Sequence, residues 1–461
     1  MGRQRTKKGG NLPFLILALA VILIGLIVLV VFLEQGRQSA ATPSETLKIT
    51  EESQDPSDEV TDPPTDPPVV KQTTATIGNT GDMMFHKRVI KCGYNAATNT
   101  FNYDHIYQYW KKYIQALDYA TANLELTLIQ TEDEGDFKGY SGYPQFNSPD
   151  AVAEALKEAG FDLLLTANNH SYDRFNKGLI RTQQVLDNLG FDRIGTRLTA
   201  DAPNYLVKEV NGITFGMINY TYTTSMDANG TLSLNGISVG KDSPLVNGFS
   251  YSRLDSFYTK LEGEIAAMRA EGAEAIILYI HWGDEYQIKE NSTQNKMAQA
   301  LCNLGIDVIV GDHPHVPQPV ELLTNQADST KKTLCLYSTG NAVSNISRAD
   351  KRPKNTEDGM MFSVTFAKYS DGTVVLEGAD IMPTWVDRIN ESDWSDQFIV
   401  LPLDDSVEDW KSAMNLSDET LQECKDSYQR TMDIVGEGLA EANAYYAQNQ
   451  QAVEALLGVK N

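Results

Sequence analysis

From Thr74 onward the chain alternates between short apolar runs and amphipathic stretches. The runs ATIGNTGD, DYATANLE and FDLLLTANNH each read as a strand that closes on a polar tip. Between the last two, SPDAVAEALKEAG opens on Ser148 and Pro149 and stops at Gly160, the start and stop signals of a helix. YDHIYQYWKKYIQAL has helical spacing, and LIRTQQVLDNLG is a helix with a glycine stop. LEGEIAAMRAEG and NKMAQALCNLG predict two more helices, each followed by a strand, EAIILYIHWGD and IDVIVGDHPH. TLCLYSTGN adds another strand. Asn211-Gly212 and Asp371-Gly372 mark hairpin turns. The stretch from about 405 to 458 reads as mostly helical. This alternation predicts an α/β, or α+β, layered domain with a partly mixed sheet.

The N-terminus has a different pattern. Arg3, Arg5, Lys7 and Lys8 precede an uncharged apolar run over 12–33. That run matches the roughly 20 helical residues that span a bilayer core. The basic flank favours a cytoplasmic N-terminus and an extracytoplasmic bulk. A cleaved signal peptide is the competing reading; the run is longer than its usual apolar region of about 7–15 residues. Segment 1–11 is therefore read as a cytoplasmic basic segment and 12–33 as a transmembrane signal-anchor helix. Residues 34–73 are rich in Pro, Asp, Glu, Ser and Thr and read as a disordered acidic spacer.

Composition narrows the function. The formal net charge is -24 with a pI near 4.6, which excludes nucleic acid as an expected partner. The cysteines, Cys92, Cys302, Cys335 and Cys424, show no zinc or redox spacing, and Cys302 and Cys335 read as small core residues.

The strand tips carry the chemistry. They end at Asp82, at Glu125, at Asn168, Asn169 and His170, at His281, at His313 and His315, and at Asn341. Ligands of α/β sheets bind outside the carboxyl ends of strands. Singly, each tip has a bland reading as a turn or hydrogen-bonding residue; the same kind of ending on successive strands points to one shared site. Imidazole, carboxylate and amide oxygen together suit one or two divalent ions such as Mn, Zn or Fe. Two ions would need a bridging carboxylate. On a strand-like path His313 and His315 would point the same way, and Pro314 would restrict the backbone between them. Trp282 and Tyr286 flank His281 and read either as pocket wall or as core. His105 reads as a packed or exposed helical residue, His86 as a surface or helix-start residue, and Asp312 as orienting its neighbours.

The ordered set GD, ANLE, NNH with Asp173, HWG-E, G-HPH and GN resembles the CapA/PgsA family of bacterial capsule and poly-γ-glutamate synthesis proteins, over about residues 74–385. The resemblance implies a calcineurin-like metallophosphatase-type β-sandwich flanked by helices, with 386–461 as a mostly helical extension. It implies Asp82 and His315 on a first metal, and Glu125 as the bridge. Asn169, His281 and His313 would bind the second. His170 would be a general acid or transition-state stabiliser oriented by Asp173, and Asn168, Trp282 and Asn341 would line the substrate pocket. Two positions depart from the superfamily pattern. Met84 stands where a histidine is usual, and it is a poor ligand for such ions. Phe175 stands where a glycine is frequent, so the loop after Asp173 is expected to differ.

Three functions follow as alternatives: a membrane-anchored component of capsule or poly-γ-glutamate assembly with a metal-dependent hydrolase-type site, a free-standing envelope metallophosphoesterase, or a non-catalytic scaffold of the polymer synthase. The expected partners are the membrane, other polymer-synthase subunits, and a polyanionic polymer or phosphate ester. A polyanion would be repelled by this acidic chain unless cations or a local basic patch intervened.

Overall fold

The computed structural model describes residues 69–129, 139–347, 352–389, 397–404, 411, 412, 414 and 416–458. The expected membrane helix over 12–33, and the spacer as far as residue 68, lie outside these residues. Among the described residues no helix is long and apolar enough to cross a membrane.

Two mixed sheets form the body. The first contains β1 (Lys71–Met83), β2 (Tyr119–Leu124), β3 (Leu163–Leu165) and β4 (Asp192–Ile194), which run parallel in that order. The second is built on β5 (Tyr205–Val210), β6 (Ile213–Tyr222), β7 (Ala275–His281), β8 (Val308–Asp312), β9 (Val320–Thr324) and β10 (Lys332–Leu336). Its β6, β7, β8 and β10 are parallel, with β5 and β9 antiparallel beside them. The short β11 (Asn341–Val343) returns to the first sheet and pairs with the end of β1, Asp82 opposite Asn341. On that same edge of β1, opposite β2, the sheet continues through β12 (Asp358–Tyr369), β13 (Val374–Ile389) and β14 (Gln397–Pro402), all antiparallel. Asn211, at φ 49, and Gly212, at φ 79, make the expected β5–β6 hairpin turn.

Side chains alternate between the two faces of a strand, so each buried strand feeds two cores. Ile77, Leu163 and Leu165 meet Phe215, Met217, Ile277, Val308 and Val310 between the sheets. On the outer face of the first sheet, Ala120, Ala122 and Leu164 pack with Val152 and Leu156 of α1 (Ala151–Ala159) and Leu186 of α2 (Phe175–Asn188). On that of the second, Ile276, Leu278 and Ile280 pack with α3 (Leu254–Ala270) and α4 (Ser292–Asn303). The result is helix, sheet, sheet, helix. All the parallel strands of each sheet end on one side, and the polar tips converge there.

Two expectations about elements change. YDHIYQYWKKYIQAL is not one helix: it forms a 3-10 turn, Asp104–Tyr107, and a single α-turn, Lys111–Ile114. Tyr103, Tyr107 and Trp110 are all fully buried, and holding these rings against the sheet through tight turns overrides helical spacing. The domain limit drawn at 385 falls inside β13, and β14 adds a further strand beyond it.

The long α5 (Asp418–Leu457) starts at Ser417, whose side chain accepts the Thr420 N–H at 3.0 Å. Its Val435, Leu439, Ala442 and Tyr446 enter the core between the sheets. A Cβ at Gly438 would stand 1.9 Å from the Val320 carbonyl oxygen. Gly438→Ala should therefore lever α5 off β9 and cost about 1–3 kcal/mol, read from denaturant midpoints. An unchanged midpoint would mean that the helix does not depend on this approach.

Candidate metal centre

The centre is assembled from both sheets. Asp82 lies at the end of β1, Glu125 one residue past β2, His281 at the end of β7, and His313 and His315 just past β8. Asp82, Glu125 and His315 form one set of potential ligands; Glu125, His281 and His313 form another. Within each set the ligating atoms lie within 4.8 Å of one another. Glu125 belongs to both sets. It is fully buried, and neither carboxylate oxygen has a hydrogen-bond partner. His281 Nε2 stands 3.5 Å from Glu125 Oε1.

The surrounding bonds orient the other groups. Asp82 Oδ2 lies 2.8 Å from His315 Nδ1, and Asn123 Nδ2 donates to Asp82 Oδ1 at 2.7 Å. Asn169 Oδ1 is 2.6 Å from His281 Nε2, so its amide oxygen faces the second set. His313 Nδ1 and Asn341 Oδ1 are buried without partners. Asn341 Nδ2 donates to the carbonyls of His315 at 3.1 Å and Thr356 at 2.9 Å. Asn168 Nδ2 donates to Asn123 Oδ1 at 3.1 Å and the Leu124 carbonyl at 2.8 Å, which makes it a brace behind the site.

Burial pushes the Glu125 carboxyl well above its ordinary range, and the charge of Asp82 adds to this. Burial pulls His281 down to about 3 and His313 well below its usual value. Burial works the other way on Asp82, but the hydrogen bond and charge of His315 outweigh it and hold Asp82 low. His315 is raised, the Asp82 contact overcoming its own burial. A buried carboxylate with no donor, beside the unpartnered Nδ1 of His313, is an expensive arrangement by itself. A cation offered the same oxygens and nitrogens satisfies all of them. The donor set therefore fits a divalent ion of the borderline or hard kind.

His170 lies on the rim. Its Nδ1 is 2.7 Å from Asp173 Oδ2, and its Nε2 is 3.9 Å from Glu125 Oε1. Asp173 Oδ2 also accepts the Phe146 N–H at 2.6 Å, and the Phe146 ring stands edge-on to His170 at 4.7 Å. Sequence reasoning missed three residues here. Asn123 holds Asp82. Tyr222 stacks on His281, with centroids 6.4 Å apart and rings 4° from parallel. Asn235 brings its Nδ2 within 3.2 and 3.3 Å of the His170 ring nitrogens and accepts from Asn169 at 3.1 Å. Asn235-Gly236, two polar positions between short apolar runs, was a readable turn signal, but nothing in it says where the turn lands.

Two other readings change against the geometry. Trp282 does not wall the pocket. Being one residue past His281, it points to the opposite face of the sheet, lies in the core under α3 and α4, and donates from Nε1 to the Tyr337 carbonyl at 3.0 Å. The two histidines of HPH do not share a strand path. The strand ends at Asp312, and His313 and His315 take positive φ, 97 and 57. Such backbone costs roughly 1–3 kcal/mol per residue and clusters at functional sites; here it lets the rings, 5.7 Å apart, serve different sets. Phe175, in the loop after Asp173, takes a φ of 54 and is 56% exposed. Met84 is buried in the core of the first sheet and takes no part in the centre. His86 immediately precedes the short helix Lys87–Cys92 without a capping side-chain bond, packs edge-on to Phe146 at 4.9 Å, and is pulled by burial to about 3.

Fold and centre together define a two-sheet α/β protein with a buried histidine–carboxylate cluster of metal-binding character. Residues 76–346 match the family described as bacterial capsule synthesis protein PGA_cap. With more than half of its length matched, the chain belongs to that family, the CapA/PgsA group that its motifs resemble. It is 26% identical over 309 residues to the capsule biosynthesis protein CapA of Bacillus anthracis, which covers 67% of this chain and 66% of that protein. It is 25% identical over 303 residues to the PGA biosynthesis protein CapA of Bacillus subtilis (strain 168), covering 65% and 70%. The matched part thus spans just under two thirds of the length of the first of these relatives. Every residue of the centre lies inside the family match.

Proposed function

We propose that this family member is a membrane-anchored, extracytoplasmic component of capsule or poly-γ-glutamate biosynthesis with a metal-dependent hydrolase-type site. The observation that carries the site is Glu125, buried with both oxygens unpartnered between two sets of histidine and carboxylate donors. Asp82 and His315 would hold one divalent ion, and His281, His313 and Asn169 a second. Such an ion acts as a Lewis acid on a substrate oxygen. This chain's own residues supply the rest. Asp173 fixes the His170 ring through Nδ1, which leaves Nε2 facing the centre to hand over or take up a proton at a leaving oxygen. Asn235 covers that ring from the solvent side. The apolar run over 12–33 and its basic flank support the anchor; recovery of the full-length chain in the soluble fraction without detergent would count against it.

The site is tested on the full-length protein by metal analysis of the parent and of His313→Ala. The parent should hold divalent metal and the variant should lose most of it; no metal in the parent, or equal metal in both, would refute the ligand assignment. Mn-dependent turnover of a chromogenic phosphodiester should then fall by about 10²–10⁴ in His170→Ala. The burial of Met84 where the superfamily uses a histidine favours a second reading, a scaffold that keeps the centre without catalysis. Metal binding with no turnover in either protein would select it.

A further inference from the structure

In a chain of net charge -24, one cavity is walled by cations. It measures ≈ 430 Å³ and lies against the small sheet formed by Ser225–Met226, Leu232–Leu234 and Ile237–Ser238. Arg197, Lys241 and Lys260 line it, and no Asp or Glu does. Arg197 is only 8% exposed. Its guanidinium makes one hydrogen bond, from Nη1 to Asn247 Oδ1 at 2.7 Å, and its Nε has no partner.

The carboxylates nearby in sequence or space have partners of their own. Asp227 accepts the N–H groups of Asn229 and Thr231, both at 2.8 Å. Asp242 accepts the Tyr172 hydroxyl at 2.7 Å. Glu264 accepts the Tyr220 hydroxyl at 2.7 Å and meets Lys260 at 3.5 Å. The charge of Glu264 acts on Arg197 without a hydrogen bond between them, and a buried guanidinium so placed still gains from an anion that meets it directly. Its planar fork suits a carboxylate in particular. The three cations come from three separate segments around a cavity too wide for one small ion, which suits a ligand with several spaced carboxylates.

We propose that this cavity binds the free α-carboxylates of a γ-linked glutamate chain, as a subsite separate from the metal centre. The proposal rests on the capsule and poly-γ-glutamate reading above. It supplies the local basic patch that an acidic protein needs to hold a polyanion. It also bears on the centre. The small sheet forms the cavity wall with its turn at Asn229–Thr231 and touches His170 with its other turn, through Asn235. A polymer held at the cavity therefore steadies the element that covers His170.

The test is calorimetric titration of the full-length protein in detergent and low salt with a γ-linked glutamate decamer, and separately with inorganic phosphate. The decamer should bind the parent. Lys241→Glu, an exposed position, should weaken it at least about tenfold, while Lys241→Arg retains it. Arg197→Met should abolish it, with circular dichroism confirming the fold. His313→Ala should leave decamer affinity within about twofold, so failure of the metal reading and failure of this subsite are read separately. No decamer binding, equal binding in Lys241→Glu, or loss only in His313→Ala would overturn the proposal. So would phosphate alone showing the Lys241 dependence.

Discussion

Glu125→Gln should strip the full-length protein of its divalent metal and yet leave the metal-free fold as stable as the parent, or more so. The two halves have one cause. In the metal-free protein Glu125 is a fully buried carboxyl with no donor on either oxygen. Burial drives it toward its neutral form, so a neutral amide of the same shape removes a liability and breaks no bond. With metal present the balance reverses. Glu125 is the only residue common to both ligand sets, so its loss weakens both at once. Replacing groups that merely support a metal ligand costs about 10–100-fold in affinity; replacing the shared ligand should cost at least the upper figure. The stabilisation that metal confers on the parent, about 2.7 kcal/mol at 100 times Kd, should disappear in the variant. Denaturation with Mn and with chelator, on both proteins, reads all four states. A metal-free variant more than about 1 kcal/mol less stable than its parent would show that Glu125 serves a structural bond, and retained metal would show that it is not a ligand.

The strand tips were legible because the chemistry and the topology are written in the same places. Each parallel strand is a short apolar run, and the first polar residue beyond it has to lie at the carboxyl edge of the sheet. Asp82, Glu125, His170, His281 and His313 could therefore be grouped from the chain alone, and the α/β layering with them. Backbone conformation against the rules was hidden. His313 and His315 at positive φ contradict the preference of their residue type, and only the surrounding structure holds them there. The side of a strand end was legible in principle and misread for Trp282, which follows a site histidine by one residue and so faces away from it. Asn235 and Asn123 were invisible for another reason. Asn123 reaches Asp82 because β1 and β2 pair in that register, and Asn235 reaches His170 from a separate hairpin, whose resting place no spacing in the sequence encodes. The cation-lined cavity belongs to the same class, since Arg197, Lys241 and Lys260 are far apart along the chain.

Arg430→Met should destabilise the protein by about 3–5 kcal/mol, the cost of leaving a buried charge without its partner. Asp358 is fully buried at the start of β12. It accepts two hydrogen bonds from Arg430, from Nη2 at 2.6 Å and Nε at 2.9 Å, and one from Ser427 Oγ at 2.6 Å. Both donors stand on α5. Even with them in place, burial holds the Asp358 carboxyl above its ordinary range, and the loss of Arg430 leaves it the Ser427 hydroxyl alone of these donors. Methionine keeps the aliphatic stem and removes only the charge and its donors. The consequence reaches the metal centre. A Cβ at the next residue, Gly359, would stand 2.0 Å from the Asn341 carbonyl oxygen, and Asn341 sits opposite Asp82 in the sheet. The helix therefore braces the strand against which the Asp82 side of the centre is built, and Arg430→Met should lower metal affinity as well as stability. Asp358→Asn combined with Arg430→Met should recover most of the lost stability, because the uncompensated charge is then gone. Denaturant midpoints of the two single variants and the double variant form the cycle. A single-variant loss below about 1 kcal/mol, the range of exposed ion pairs, would mean that α5 is held by its apolar face alone.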